Sequence, residues 1–143
     1  MTPEYKMNPL TQPLEKKTVL VVDDEPDIVD ILTSYLEDEG YCVIAAYDGQ
    51  EGLEKAHAIH PHLIILDFML PLKHGLTFCK ELKEETALSS IPVLLLTGTG
   101  RGDTVGTALR LGINAYLPKP FERQALLSIV RRLIASDVSS SSA

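Results

Sequence analysis

Residues 62–71 read HLIILDFMLP, and within them Leu63, Ile64, Ile65 and Leu66 run straight into the carboxylate of Asp67. Apolar residues that do not alternate with polar ones mark a strand buried on both faces, as in parallel sheets covered by helices. A charge set against such a core is costly unless something pairs with it. Asp67 therefore needs a reason, and the segments on either side of it supply one.

Strand and helix patterns alternate outward from this stretch. Thr18 to Val22 (TVLVV) is a β-branched apolar run. The following DEPDIVDILTSYLEDEG places Ile28, Ile31, Leu32, Tyr35 and Leu36 at helical spacing, and Gly40 stops it. YCVIAA is a second strand, followed by a helix from about Gln50 to His60 closed by Pro61. The Asp67 strand is third, and a helix from about Leu76 to Glu84 follows Gly75. IPVLLLT is a fourth strand, Asp103 to Leu111 a weaker helix, and NAYLP a short fifth strand. A last helix from Glu122 to Ala135 carries Leu126, Val130, Leu133 and Ile134 on one face. Five strands alternating with five helices predict an α/β fold around a parallel sheet with right-handed crossovers. Residues 1–17, with Pro3, Pro9 and Pro13, read as a flexible extension, 18–136 as one domain, and 137–143 as a frayed tail or cut linker.

Composition narrows the function classes. The 143 residues are 45% hydrophobic and 23% charged, the mix of an ordinary globular protein. No apolar run reaches the length of a membrane span, and the N-terminus lacks the apolar segment of a secretory signal. Cys42 and Cys79 lack metal-ligand spacing and read as a reduced pair, in keeping with a cytoplasmic protein. With 20 acidic against 13 basic residues the net charge is −7, which disfavours direct nucleic-acid binding.

In open parallel sheets sites form at the carboxyl ends of the strands, where strand order reverses. Strand one ends in Asp23 and Asp24, strand three in Asp67 and strand four in Thr97, and Lys119 follows strand five. Carboxylates a few ångströms apart repel by about 1–4 kcal/mol per pair, so the trio calls for a cation. Oxygen ligands in small number suit Mg²⁺ together with a phosphate. Lys119 and Thr97 then offer a charge and a hydroxyl to phosphoryl oxygens, and Asp67 is the candidate nucleophile, since carboxylates form acyl phosphates. Plainer readings exist: Asp23 and Asp24 as a helix flank, Asp67 as a cap on the next helix. Glu25, Pro26 and Asp27 already serve the flank, and convergence with Thr97 and Lys119 favours a site. His57, His60 and His62 lie close in sequence, but Pro61 breaks their helical spacing and no neighbouring carboxylate orients the rings. The RGD tripeptide at Arg101 to Asp103 reads as chance, and Gly98, Gly100 and Gly102 do not fit a dinucleotide-binding loop.

VLVVDDEP, LIILDFMLPLKHG and YLPKPF, in this order and spacing, make the chain resemble the receiver domain of two-component response regulators over roughly Thr18 to Ala135. The resemblance implies a doubly wound, flavodoxin-like sheet of strand order 2-1-3-4-5. It implies that Asp23, Asp24, Asp67 and the backbone carbonyl of Met69 hold Mg²⁺, with Asp24 the more direct ligand of the acidic pair. Asp67 would accept a phosphoryl group from a phosphohistidine of a histidine kinase or phosphotransfer protein, with Thr97 and Lys119 contacting it. Tyr116 would be the switch aromatic, and the Lys119–Pro120 bond would be cis. The domain would then act on a downstream protein target or an attached output domain through a face built by the fourth helix, fifth strand and last helix. Its own catalysis would be limited to phosphoryl transfer to itself and autodephosphorylation.

The chain departs from the family pattern at three places. Gly98, Gly100, Gly102 and Gly106 predict a loosely held fourth helix, because Gly in a helix costs roughly 0.5–1 kcal/mol against Ala. Met69 and Thr99, at positions that tune phosphate lifetime in the family, offer no group to position a water, which leans toward a long-lived adduct. Asn114 and Ala115 replace paired aspartates that support a symmetric dimer in many DNA-binding members. Two other classes stay open. A phosphatase with an aspartyl nucleophile would want an acid where Met69 stands, and a receiver acting only as a binding module would not need all five side chains.

Overall fold

The computed structural model describes residues 16–68, 75–98, 106, 109, 110 and 112–142. Within these lie five strands and four helices: β1 (Thr18–Val22), α1 (Pro26–Asp38), β2 (Cys42–Ala46), α2 (Gly49–Ile59), β3 (Leu63–Asp67), α3 (Gly75–Glu84), β4 (Val93–Thr97), β5 (Ala115–Pro118) and α4 (Arg123–Ser142). All four strand pairings are parallel, and the sheet runs β2-β1-β3-β4-β5. Strand order reverses between β1 and β3, so their carboxyl ends flank the crevice where such folds bind ligands.

The uninterrupted apolar strands divide their side chains by parity. Leu20, Val22, Ile64, Leu66, Val93 and Leu95 pack on one face with Ala56 of α2 and Phe78 and Leu82 of α3. Val19, Val21, Leu63, Ile65, Leu94 and Leu96 pack on the other with Leu32 and Leu36 of α1 and Leu126 and Val130 of α4. β3 and β4 are buried at every position.

Local chemistry sets the helix ends. Pro26 opens α1 with its φ already helical. Gly40, at φ 95°, closes it: its N–H donates to Glu37 O and that of Tyr41 to Leu36 O. Asp48 caps α2 by accepting from Glu51 N at 2.8 Å, and His60 ends it at φ 52° ahead of Pro61. The start of α3 presses on the end of β3. A Cβ on Gly75 would sit 2.7 Å from the Phe68 carbonyl oxygen, so only glycine lets the helix begin there.

Three elements differ from their sequence expectation. The buried stripe of α1 is Val29, Leu32 and Leu36, while Ile31 is 41% exposed, because the stripe passes to one side of it. The last helix runs on to Ser142 in place of stopping near residue 135: core packing forms its first turns, and each added serine then costs about half a kcal/mol or less. Of the helix expected over 103–111, Gly106, Leu109 and Arg110 have helical backbone, and the remainder lies outside the described residues. The expectation of a loosely held segment there lies outside them too. Among the described residues no helix is long and apolar enough to cross a membrane.

Candidate functional site

Parallel pairing aligns the carboxyl ends of the strands, and neighbouring backbone anchors the first residue beyond three of them. Asp23 N donates to Ala46 O at 3.0 Å, Phe68 N to Leu96 O at 2.9 Å and Lys119 N to Thr97 O at 2.8 Å. Residues that leave β1, β3 and β5 are thereby tied to the strand beside them. Asp23, Asp24 and Asp67 each present a carboxylate oxygen, and these atoms lie within 4.8 Å of one another. Among the described residues no other group of three or more acidic, His or Cys side chains is so placed.

Asp23 is fully buried and Asp67 is 7% exposed, while Asp24 faces solvent. Lys119 reaches across the sheet to the trio, with Nζ 3.3 Å from Asp23 Oδ2 and 3.4 Å from Asp67 Oδ1. Burial pushes the Asp23 carboxyl above its ordinary range, although the Glu25 backbone N–H and Lys119 pull it down. For Lys119, burial favours the neutral amine, yet Asp23, Asp67 and Glu25 together outweigh it and raise its pKa. The ammonium thus supplies part of the positive charge that three crowded carboxylates demand.

Thr97 is 3% exposed at the end of β4, its hydroxyl donating to Gly98 O at 2.9 Å. Tyr116 on β5 is 47% exposed and so points away from the core. The Lys119–Pro120 peptide bond is cis. Met69, expected to offer a backbone carbonyl, lies outside the described residues, as does Thr99. His57 faces Glu85 at 3.4 Å, and His62 Nδ1 accepts from Thr18 N at 3.0 Å, so these rings go to separate structural tasks.

Glu25 was hidden at the sequence level. Its Oε1 lies 3.4 Å from Lys119 Nζ, which makes it a third carboxylate on the same ammonium. An acid beside a helix start already satisfies the rule for that position, so its type alone carried no signal. Asn114, noted only as a departure, has a structural job: Val93 N donates to its Oδ1 at 2.9 Å, while its own N–H donates to Val93 O.

Comparison with known proteins agrees with this geometry. A family profile described as the response regulator receiver domain matches residues 19–131. The alkaline phosphatase synthesis transcriptional regulatory protein PhoP of Bacillus subtilis (strain 168) is 40% identical over 118 residues, covering 82% of this chain and 48% of that protein. The chain spans about half the length of the curated relatives it matches. The chemotaxis response regulator CheY4 of Vibrio cholerae superposes with a TM-score of 0.79 at 31% identity, over 83% of this chain and 99% of that one. The receiver domain of NtrX from Brucella abortus gives a TM-score of 0.77 at 32% identity, over 82% and 98%.

Proposed function

The chain belongs to the response regulator receiver domain family, whose function is to accept a phosphoryl group on an aspartate, and from that premise we propose that Asp67 is the acceptor here. The observation that carries the proposal is Lys119 Nζ, held 3.4 Å from Asp67 Oδ1 and 3.3 Å from Asp23 Oδ2 at the mouth of the carboxylate trio. Residues 18–136 are the receiver unit in this reading.

A hard divalent cation fits the donor set, because three carboxylate oxygens within 4.8 Å are crowded and of one chemical kind. Receiver domains generally bind Mg²⁺. Asp23, Asp24, Asp67 and the Met69 carbonyl would hold it, and it would supply charge neutralisation for the incoming phosphoryl oxygens. The chain's own groups do the rest. One Asp67 oxygen attacks phosphorus, and the bond from phosphorus to the donor's imidazole nitrogen breaks, with the electron pair staying on nitrogen. Lys119 turns from carboxylate to phosphoryl oxygen. The Thr97 hydroxyl exchanges Gly98 O for the same group, with donors aimed at developing charge.

The adduct adds roughly −1.5 to −2 charges at the rim. Movement of Thr97 frees space beside β5, and Tyr116, outward in the structure described, turns inward. That shift biases the face that carries β5 and α4 toward a second arrangement. A histidine kinase or phosphotransfer protein is the donor, and a downstream protein or attached output domain reads the change. The work is cytoplasmic, direct nucleic-acid contact by this acidic chain is not part of it, and its chemistry is confined to taking and losing one phosphoryl group. Intact mass after incubation with Mg²⁺ and acetyl phosphate tests the reading, with gain of one phosphoryl group in the parent and none in Asp67→Asn. Equal gain in both would place the adduct elsewhere.

A further inference from the structure

We propose that Glu25 is a positioning residue of this site: its carboxylate shares Lys119 with Asp23 and Asp67 and restrains entry of an anionic phosphoryl donor. The inference rests on the reading of Asp67 as acceptor. Glu25 occupies the position before α1 where side chains ordinarily accept a helix N–H, yet it makes no such bond. Its backbone N–H donates instead to Asp23 Oδ1 at 2.9 Å, and its Oε1 lies 3.4 Å from Lys119 Nζ. The side chain has therefore exchanged a capping role for one in the site.

The three carboxylates around Lys119 differ sharply in setting. Side chains of Asp23 and Asp67 are 1% and 10% exposed, while that of Glu25 is 60% exposed. The open carboxylate is the one an arriving donor meets first, and with Asp24 and Asp27 it lines the cleft beside the site. Its charge repels a phosphoryl dianion, and its hold on Lys119 must loosen before that ammonium can meet the donor. Asp23 and Asp67 cannot be altered without touching the cation's ligands; Glu25 stands outside that group of three.

The experiment compares Glu25→Gln, Glu25→Asp and parent chains, with Mg²⁺ in excess and acetyl phosphate varied, following phosphorylation by intact mass. At low ionic strength and sub-saturating donor the Gln variant reacts about ten-fold faster, the effect of a unit charge on a dianion about 6 Å away in water-like surroundings. The gain lies in apparent donor affinity, with the maximal rate held, and it fades at 1 M salt, where screening acts within about 3 Å. Asp at this position keeps the charge and restores the parent's behaviour. An unchanged rate in the Gln variant, a gain indifferent to salt, or an Asp variant that behaves like Gln overturns the proposal. Calorimetric titration with Mg²⁺ is the second readout, the Gln variant staying within about ten-fold of the parent, the reach of one unit charge on a divalent cation at that distance. A loss of about a hundred-fold would make Glu25 a metal ligand and overturn the positioning role. A parent that takes no phosphoryl group removes the reading of Asp67 itself. A parent that reacts while the variants match it removes only the role of Glu25.

Discussion

Asp23 carries an energetic conflict that a single substitution exposes. Burial raises its carboxyl pKa from 3.8, so between 3.8 and that higher value the folded chain holds a proton the unfolded chain has lost. Stability therefore falls as pH climbs through this window. Asp23→Asn removes the slope and keeps an oxygen able to accept from Glu25 N. Without Mg²⁺ the variant melts a few degrees above the parent at neutral pH, and the difference closes toward acid, as a series of melts across pH 3–7 would show. A variant that melts lower than the parent at neutral pH contradicts the account. On the proposed reading the same change weakens Mg²⁺ binding by about ten-fold or more, because one of three candidate carboxylate ligands would be lost. Stability and ligand affinity then move in opposite directions at one position, as at a site whose charges are arranged for a bound partner.

The strands and helices show how such a rim is assembled. β5 has only four residues, and Asn114 extends its pairing with β4 by letting a side-chain oxygen accept from Val93 N. Asn114→Ala leaves that N–H unpaired next to a fully buried Val93, at a cost of about 1–3 kcal/mol. Urea titration reads the cost, and the Val93 amide exchanges faster; unchanged exchange would show that β5 is held by other means. α1 and α4 are joined by Arg123, which lies 5.3 Å over the Tyr35 ring and 3.5 Å from Asp38, and by the 3.2 Å pair of Arg131 and Glu39. These exposed pairs contribute little each and orient more than they stabilise. Much of the architecture was readable in advance, because long apolar runs such as Leu63–Leu66 have few alternatives to a central strand. Which face each residue takes was not, since Ile64 and Ile65 are chemically alike and only the sheet's pleat sends them to opposite cores. Val29 and Ile31 differ just as little by type, and the packing of α1 alone decides between them. The convergence of Asp23, Asp24 and Asp67 could be read from strand ends, because parallel register brings like ends together. Gly75 and Glu25 could not: one answers a backbone approach and the other a lysine far along the chain.

At the scale of the molecule, Asp23, Asp24, Asp67 and Lys119 meet at the carboxyl ends of one five-stranded sheet, and cation binding there is felt in the stability of the fold. A ligand that binds only the folded state adds RT ln(1 + [L]/Kd), about 2.7 kcal/mol at a hundred-fold excess over Kd. Mg²⁺ accordingly raises the urea midpoint of the parent and leaves that of Asp67→Asn much closer to its metal-free value. Equal stabilisation of both would mean that the cation binds elsewhere on a chain of net charge −7. Because Lys119 couples β5 to the ends of β1 and β3, a phosphoryl group at Asp67, as proposed, would alter contacts across the sheet and carry a change from a buried site to an exposed face. The chemistry at Asp67 is the point on which all of this turns. Borohydride reduction of the phosphorylated chain converts an aspartyl phosphate to homoserine, and peptide mass mapping then locates it. Homoserine at position 67 alone is the predicted result; homoserine at position 23 or 24, or none in a chain that has gained phosphate, would contradict it.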